Sequence, residues 1–331
     1  MLGFLTRRRE RQSERGTSGS ARARAGTGAP AAPARGARIS PEIMKQVKRV
    51  ELRTRKLVDA LFAGEYRSVF KGQGMEFAEV REYLPGDEVR SIDWNVTARM
   101  RKPYVKRYIE ERELTVMLAL DVSASERFGT TRRFKSDTLL EFAAVVAMAA
   151  VRNNDRVGVM FFTDRIEHVV PPRKGKRHVL RIVRDLLAFE PTGTRTDLTP
   201  ALEYLQRTLR QHTVVFLVSD FITEGYEHAL RVLMRRHDVV AVTVSDPAEL
   251  DLPNVGVARL RDPETGEYVE VDTSDKRVRA AYAEHVAEAN ALRQRTLRRA
   301  GVDEVQLETG GQVVEPLLRF FRTRETRARA R

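Results

Sequence analysis

Residues Leu114 to Ser125 read LTVMLALDVSAS, an apolar run that closes on the pattern Asp-x-Ser-x-Ser. The run is too short for a membrane helix. Rich in β-prone residues and without polar alternation, it predicts a strand buried on both faces, as in a parallel sheet held between helices. Asp121, Ser123 and Ser125 then fall where that strand ends, and open α/β sheets bind ligands beyond the carboxyl ends of their strands. One carboxylate and two hydroxyls at alternate loop positions can converge on one centre, and all-oxygen donors suit a hard cation such as Mg²⁺. The same letters are also ordinary turn chemistry, so the pattern needs partners further along the chain.

A chain of 331 residues holds one large or two small domains. It has no cysteine, which excludes disulfides, thiolate metal sites and thiol nucleophiles. No apolar run approaches the roughly 18 residues of a membrane span, and the charges of MLGFLTRRRERQSE follow only a short apolar scrap, unlike a secretory signal. The expectation is a soluble, cytoplasmic protein without a transmembrane segment. The formal charge of +13 suggests nucleic acid until it is located. Residues 1–40 hold nine Arg against two Glu, and residues 318–331 six Arg against one Glu, which leaves 44 basic and 43 acidic residues between them. The folded part is nearly neutral, so no specific nucleic-acid site is expected. Loose binding of anionic surfaces or nucleic acid by the Arg-rich ends is a minor alternative.

Residues 1–40, poor in large apolar side chains, predict a disordered basic arm. A helix is expected from Pro41 to about Gly64, on the spacing of Ile43, Val47, Val50, Leu57, Leu61 and Phe62. The charged block 66–113 carries turn signals at Gly72, Gly74 and Gly86-Asp87, an extended piece around Val80, and Ile92 and Trp94 as anchors. Residues 41–113 therefore form an N-terminal helix and packed extension, which either braces a sheet or offers a docking face. Beyond it, strands at Val157 to Phe162, Val214 to Val218 and Val239 to Val244 alternate with helices at Phe134 to Arg152, Val179 to Leu187 and Pro200 to Arg210. Ile166 to Val170 is an edge strand. Residues 256–272 predict a β-hairpin that extends one edge, followed by a helix from Lys276 to Arg299 with Tyr282, Val286, Ala289 and Leu292 on one side. Val305 to Leu307 is a last strand, Val313 to Phe321 a closing helix, and 324–331 a mobile basic tail. The alternation predicts an α/β fold with a doubly wound, mostly parallel sheet flanked by helices over residues 114–323, with an N-terminal extension and an added β-hairpin.

Thr196 lies in the loop before one of these helices and Asp220 at the end of a core strand, so both can reach the crevice above Asp121. With these partners, the chain resembles the von Willebrand factor A-domain family, whose metal-ion-dependent adhesion site joins Asp-x-Ser-x-Ser to a Thr and an Asp from two later loops. FAEVREYLPGDEVRSIDWNVTAR and DPAELDLPNVGVARLRDPETGEYVEVD resemble, within it, the bacterial branch catalogued as domain of unknown function 58, over residues 66–323. The resemblance implies a Rossmann-like fold and a site for Mg²⁺ or Mn²⁺ made by Asp121, Ser123, Ser125, Thr196 and Asp220. Thr196 is preferred to Thr194 on spacing. Asp197 reads as a helix cap and Asp246 as a turn former. The resemblance further implies a non-catalytic protein-interaction module. Its partners would be a MoxR-type AAA+ ATPase and a client protein supplying a carboxylate, in maturation or remodelling of protein complexes.

The rival from another class is a Mg²⁺-dependent phosphotransferase or hydrolase with Asp121 as nucleophile, but that chemistry wants a second carboxylate where Ser123 stands. No phosphate loop of the Gly-x-x-x-x-Gly-Lys-Ser/Thr type and no Gly-x-Ser-x-Gly elbow occurs. The six His show no i, i+4 pair that would suggest zinc.

Overall fold

A computed structural model describes residues 41–61, 76–109, 113–127, 134–262 and 266–329. The basic arm at 1–40, the first helix beyond Leu61 and the hairpin turn at 263–265 lie outside the described residues. In chain order the elements begin with α1 (Pro41–Leu61), β1 (Glu76–Glu82), α2 (Trp94–Met100) and β2 (Tyr104–Ile109). β3 (Thr115–Asp121), α3 (Lys135–Arg152), β4 (Arg156–Phe162), β5 (Ile166–Arg173) and α4 (Lys176–Ala188) follow. Next come α5 (Leu198–Thr208), β6 (Val214–Val218), α6 (Glu227–Met234), β7 (Asp238–Ser245) and α7 (Pro247–Leu250). The chain closes with β8 (Val257–Arg261), β9 (Tyr268–Asp272), α8 (Lys276–Ala300), β10 (Asp303–Glu308) and α9 (Val314–Arg329).

The central sheet has six strands in the order β10-β7-β6-β3-β4-β5. Every neighbouring pair is parallel except β4 and β5. Helices cover both faces, so the sheet is the doubly wound, mostly parallel one that the alternation predicts. The β3 run is apolar throughout because successive side chains serve two cores. Val116, Leu118 and Leu120 face α1, α3, α4 and α9, whereas Met117 and Ala119 face α5, α6 and the end of α8. Burial of each such large side chain contributes roughly 1.5–3 kcal/mol, against about 0–1 kcal/mol for an exposed ion pair. The fold therefore rests on the sheet and not on the many surface Arg and Glu. β5 is the one antiparallel strand and carries Pro171 and Pro172, which an edge tolerates because one side of its backbone needs no sheet partner.

Four expectations change. The hairpin β8–β9 forms a two-stranded sheet of its own and extends no edge, since β5 and β10 hold both edges of the main sheet. Trp94 is no anchor: it is 67% exposed, because Asp93 caps α2 through Asn95 and Val96 and makes Trp94 the first residue of an exposed turn. Leu292 is exposed on α8, whose inward face runs through Val286 and Leu297 instead. The C-terminal basic segment is not a separate tail up to Arg329, because α9 continues that far and Arg324 is packed against the sheet edge.

Candidate metal centre

The sheet reverses its winding between β3 and β6. From β3 the chain builds β4 and β5 on one side, and from β6 it builds β7 and β10 on the other. Such a switch point leaves a crevice at the carboxyl ends of the two strands, where α/β proteins place their ligands. Asp121 ends β3, and Ser219 and Asp220 follow β6 directly.

Asp121 is fully buried. Its Oδ1 accepts from the Ser123 amide at 2.9 Å and its Oδ2 from the Ser219 hydroxyl at 2.8 Å. Ser123 Oγ lies 3.0 Å from Ser125 Oγ and accepts from Thr196 Oγ1 at 2.9 Å. Four of the five residues named from the sequence thus share one hydrogen-bonded network. Asp220 joins it through its charge on Asp121 and lines the same cavity as Ser125 and Thr196. The loop carrying Thr196 is pinned from below: Glu167 accepts from the Gly193 amide at 2.7 Å and from the Thr192 hydroxyl. A Cβ at Gly193 would overlap the Thr163 side chain, so this close approach requires glycine. Asp197 caps α5 through the Thr199 amide at 2.8 Å. Asp246 caps α7 and accepts from the Thr309 hydroxyl at 2.7 Å. Both rival carboxylates are thereby committed to structure.

Three contributors were not legible in the sequence. Ser219 orients Asp121, and only the pairing of β6 beside β3 reveals it. Glu126 sits in the 3₁₀ turn that follows the motif, is 2% exposed, and has no hydrogen-bond partner for either carboxylate oxygen among the described residues. Lys135, buried at the start of α3, pairs with Glu249 at 2.7 Å and lends its charge to Glu126. Phe221, next to Asp220, holds a φ of 57°, a costly conformation for a bulky residue and one that clusters at functional loops.

Electrostatics favours a cation here. Burial, and then the neighbouring Asp220 carboxylate, push Asp121 up to about 7, although the Ser123 and Ser219 bonds oppose this. Burial pushes Glu126 well up as well; Lys135 counters it, while Asp121 and Asp220 add to it. Buried like charges of this kind are relieved by a divalent ion, and the donors are all oxygen, which fits Mg²⁺ or Mn²⁺ better than zinc. Among the described residues, no three His, Cys, Asp or Glu side chains are close enough to hold a metal by themselves. A metal here would have to draw on the hydroxyls of Ser123, Ser125 and Thr196 beside the carboxylates.

The fold and its strand-end crevice define a doubly wound α/β protein with a mostly parallel six-stranded sheet, the architecture that the resemblance implies. The chain belongs to the family described as Protein of unknown function DUF58, whose model matches residues 79–292. It is 32% identical over 293 residues to an uncharacterized protein of Mycobacterium tuberculosis, covering 88% of this chain and 92% of that one. It is 23% identical over 185 residues to the uncharacterized protein YeaD of Bacillus subtilis, covering 55% and 44% of the two chains. Among solved structures, it is similar to the conserved hypothetical protein BatB from Bacteroides thetaiotaomicron, at 13% identity and a TM-score of 0.43, over 65% of this chain and 99% of that one. No helix among the described residues is long and apolar enough to cross a membrane.

Proposed function

We propose that this protein is a non-catalytic, cytoplasmic interaction module whose grip on a partner depends on Mg²⁺ or Mn²⁺ held by Asp121, Ser123, Ser125, Thr196 and Asp220. The observation that carries this reading is the network at the switch point, where a buried carboxylate beside Asp220 is linked to three hydroxyls from two loops. A bound ion would supply a coordination position for a carboxylate from outside the chain. This chain's residues fix the approach: Ser219 and the Ser123 amide hold Asp121 still, and Lys135 offsets the charge of Glu126. The non-catalytic reading is supported by Ser123, which stands where phosphoryl transfer wants a second carboxylate. We assign the partner to the MoxR-type AAA+ ATPases on the family resemblance, with remodelling of protein complexes as the joint task.

The reading is tested by titrating Mn²⁺ into wild-type protein and Asp121→Ala in a calorimeter. Wild type should give a saturable signal that Asp121→Ala loses while its circular dichroism stays folded. Equal signals would remove Asp121 from the site. A pull-down in Mg²⁺ against EDTA, read by mass spectrometry, should then recover the ATPase only with the metal.

A further inference from the structure

Between β1 and β2 the chain runs through a tight turn, a 3₁₀ turn (Val89–Ser91) and α2. This connection is held firmly at its base. Arg81 bonds both oxygens of Asp87, at 2.9 and 2.7 Å, and so closes the tight turn. The Asp93 amide donates to the Tyr104 carbonyl at 2.8 Å, the Tyr104 amide donates to Thr97 Oγ1 at 3.0 Å, and Ile92 pairs with Val105. On that frame Leu84, Val89, Trp94 and Met100 stand between 57% and 67% exposed. Along α2, Val96 and Thr97 are half-buried against the strands, whereas Trp94, Asn95, Ala98, Arg99 and Arg101 face outward.

The charges of the unit are unevenly spent. Arg81 pairs with Asp87, Lys102 with Glu82 and Lys106 with Asp93, at 2.7, 2.7 and 3.2 Å. From Arg81 to Lys106 that leaves Arg90, Arg99 and Arg101 without an ion pair among the described residues, against Glu88 as the one uncommitted acid.

Bare apolar side chains interleaved with unpaired guanidiniums match a boundary where hydrocarbon lies beneath anionic headgroups. Trp favours that boundary, and Arg keeps its stem in apolar surroundings while its head reaches a phosphate. A protein partner concentrates its binding energy in anchors packed together at one desolvated centre. Here the four apolar side chains ride on separate turns, each of which can enter a fluid surface by itself. We propose that this face of the β1–α2–β2 unit docks on an anionic lipid surface, with Leu84, Val89, Trp94 and Met100 at the headgroup level and Arg90, Arg99 and Arg101 on lipid phosphates. No helix among the described residues can cross a membrane, so the chain lies on the surface. The site is separate from the Arg-rich ends and needs no metal.

Trp94 is the only tryptophan of the chain, so intrinsic emission reports on this face alone. The full chain is titrated with vesicles of phosphatidylglycerol and phosphatidylcholine in equal parts, and with phosphatidylcholine alone. Only the anionic vesicles should shift Trp94 emission to the blue, and brominated lipid in them should quench it. Arg99→Glu, at an exposed and unpaired position, should weaken the response about 10-fold or more, because one arginine near an anionic surface counts for about 5-fold and the reversal adds a repulsion. Glu88→Lys should strengthen it, a gain that misfolding cannot imitate. Vesicles that sediment with the protein while Trp94 emission stays unshifted would assign lipid binding to the Arg-rich ends and overturn the proposal. An equal response to phosphatidylcholine, or affinities that neither variant changes, would overturn it too. Emission that ignores vesicles but shifts with an acidic amphipathic peptide would give this face to a protein partner instead.

Discussion

His237 is buried just before β7, and neither ring nitrogen has a hydrogen-bond partner among the described residues. Burial, reinforced by Arg236 and His212, holds the ring below the usual imidazole range. His178, whose Nε2 lies 2.9 Å from the Val157 carbonyl, is shifted the same way and again mainly by burial. The unfolded chain thus takes up protons at a pH where the folded chain does not. Their contribution to stability is complete above about pH 6.5 and is lost as the pH falls through that value. The raised Asp121 and Glu126 carboxyls act in the opposite sense over the same range, so the expected outcome is a difference: between about pH 7 and about pH 5 the melting temperature of wild type should fall relative to that of His237→Leu. An unchanged slope in the variant would assign the effect to other groups. At this scale the sequence revealed what is local. Asp121, Ser123 and Ser125 are neighbours in one loop, and Asp197 caps as its position suggests, whereas Asp246, read as a turn former, caps a short helix. Thr196 and Asp220 needed the family resemblance, because nothing in their own neighbours distinguishes them. Glu126 directly follows the quoted motif, yet its burial depends on a turn that the letters do not specify.

Among the elements, α9 departs furthest from its reading. Its Arg-rich end has the composition of a solvated tail, yet Arg324 makes two bonds of 2.7 Å to Asp238 and one of 2.6 Å to Asp303, at the starts of β7 and β10. Arg327 adds a bond of 3.0 Å to Asp303. The guanidinium ties two parallel strands of the sheet edge together, an arrangement invisible to any pattern along one segment because its partners lie far away in sequence. Arg324 is only 18% exposed, so this pair is screened less than a surface one. Arg324→Ala should therefore cost about 1–3 kcal/mol, as charge-assisted bonds of this kind do. For a domain of this size that is a fall of roughly 2–10 °C in melting temperature. Removal of residues 1–38, which carry no core-forming pattern, should change it little. A melting temperature untouched by Arg324→Ala would mean that the sheet edge holds without the clamp. The strands themselves were legible because each is a short apolar run between turn signals. The placement of β8–β9 was not, since a hairpin's own letters fix its register but not the sheet that it joins.

For the molecule as a whole, two surfaces compete for the role of partner interface. One is the crevice at the switch point with its oxygen donors and adjoining cavity. The other belongs to the unit of β1, α2 and β2, where Leu84, Val89, Trp94 and Met100 are all exposed, an unusual density of bare apolar side chains for one short stretch. The two make opposite demands on the metal. An interface at the crevice needs the hydroxyls that link the loops, so Ser123→Ala or Thr196→Ala should abolish capture of a MoxR-type ATPase, as should EDTA. An interface on the β1–β2 unit rests on apolar burial, which neither EDTA nor those substitutions touch, whereas Trp94→Ala should weaken it by the loss of one large anchor, about 10-fold or more. Because the crevice joins Asp121, Ser123, Ser125 and Thr196 in one network and offers no second carboxylate at Ser123, we expect capture to follow the first pattern, with Trp94→Ala near neutral and no turnover of a phosphate ester by the chain alone. Capture that survives EDTA and fails in Trp94→Ala would move the partner to the N-terminal unit. Hydrolysis of a phosphate ester that requires Mg²⁺ and Asp121 would restore the enzymatic reading.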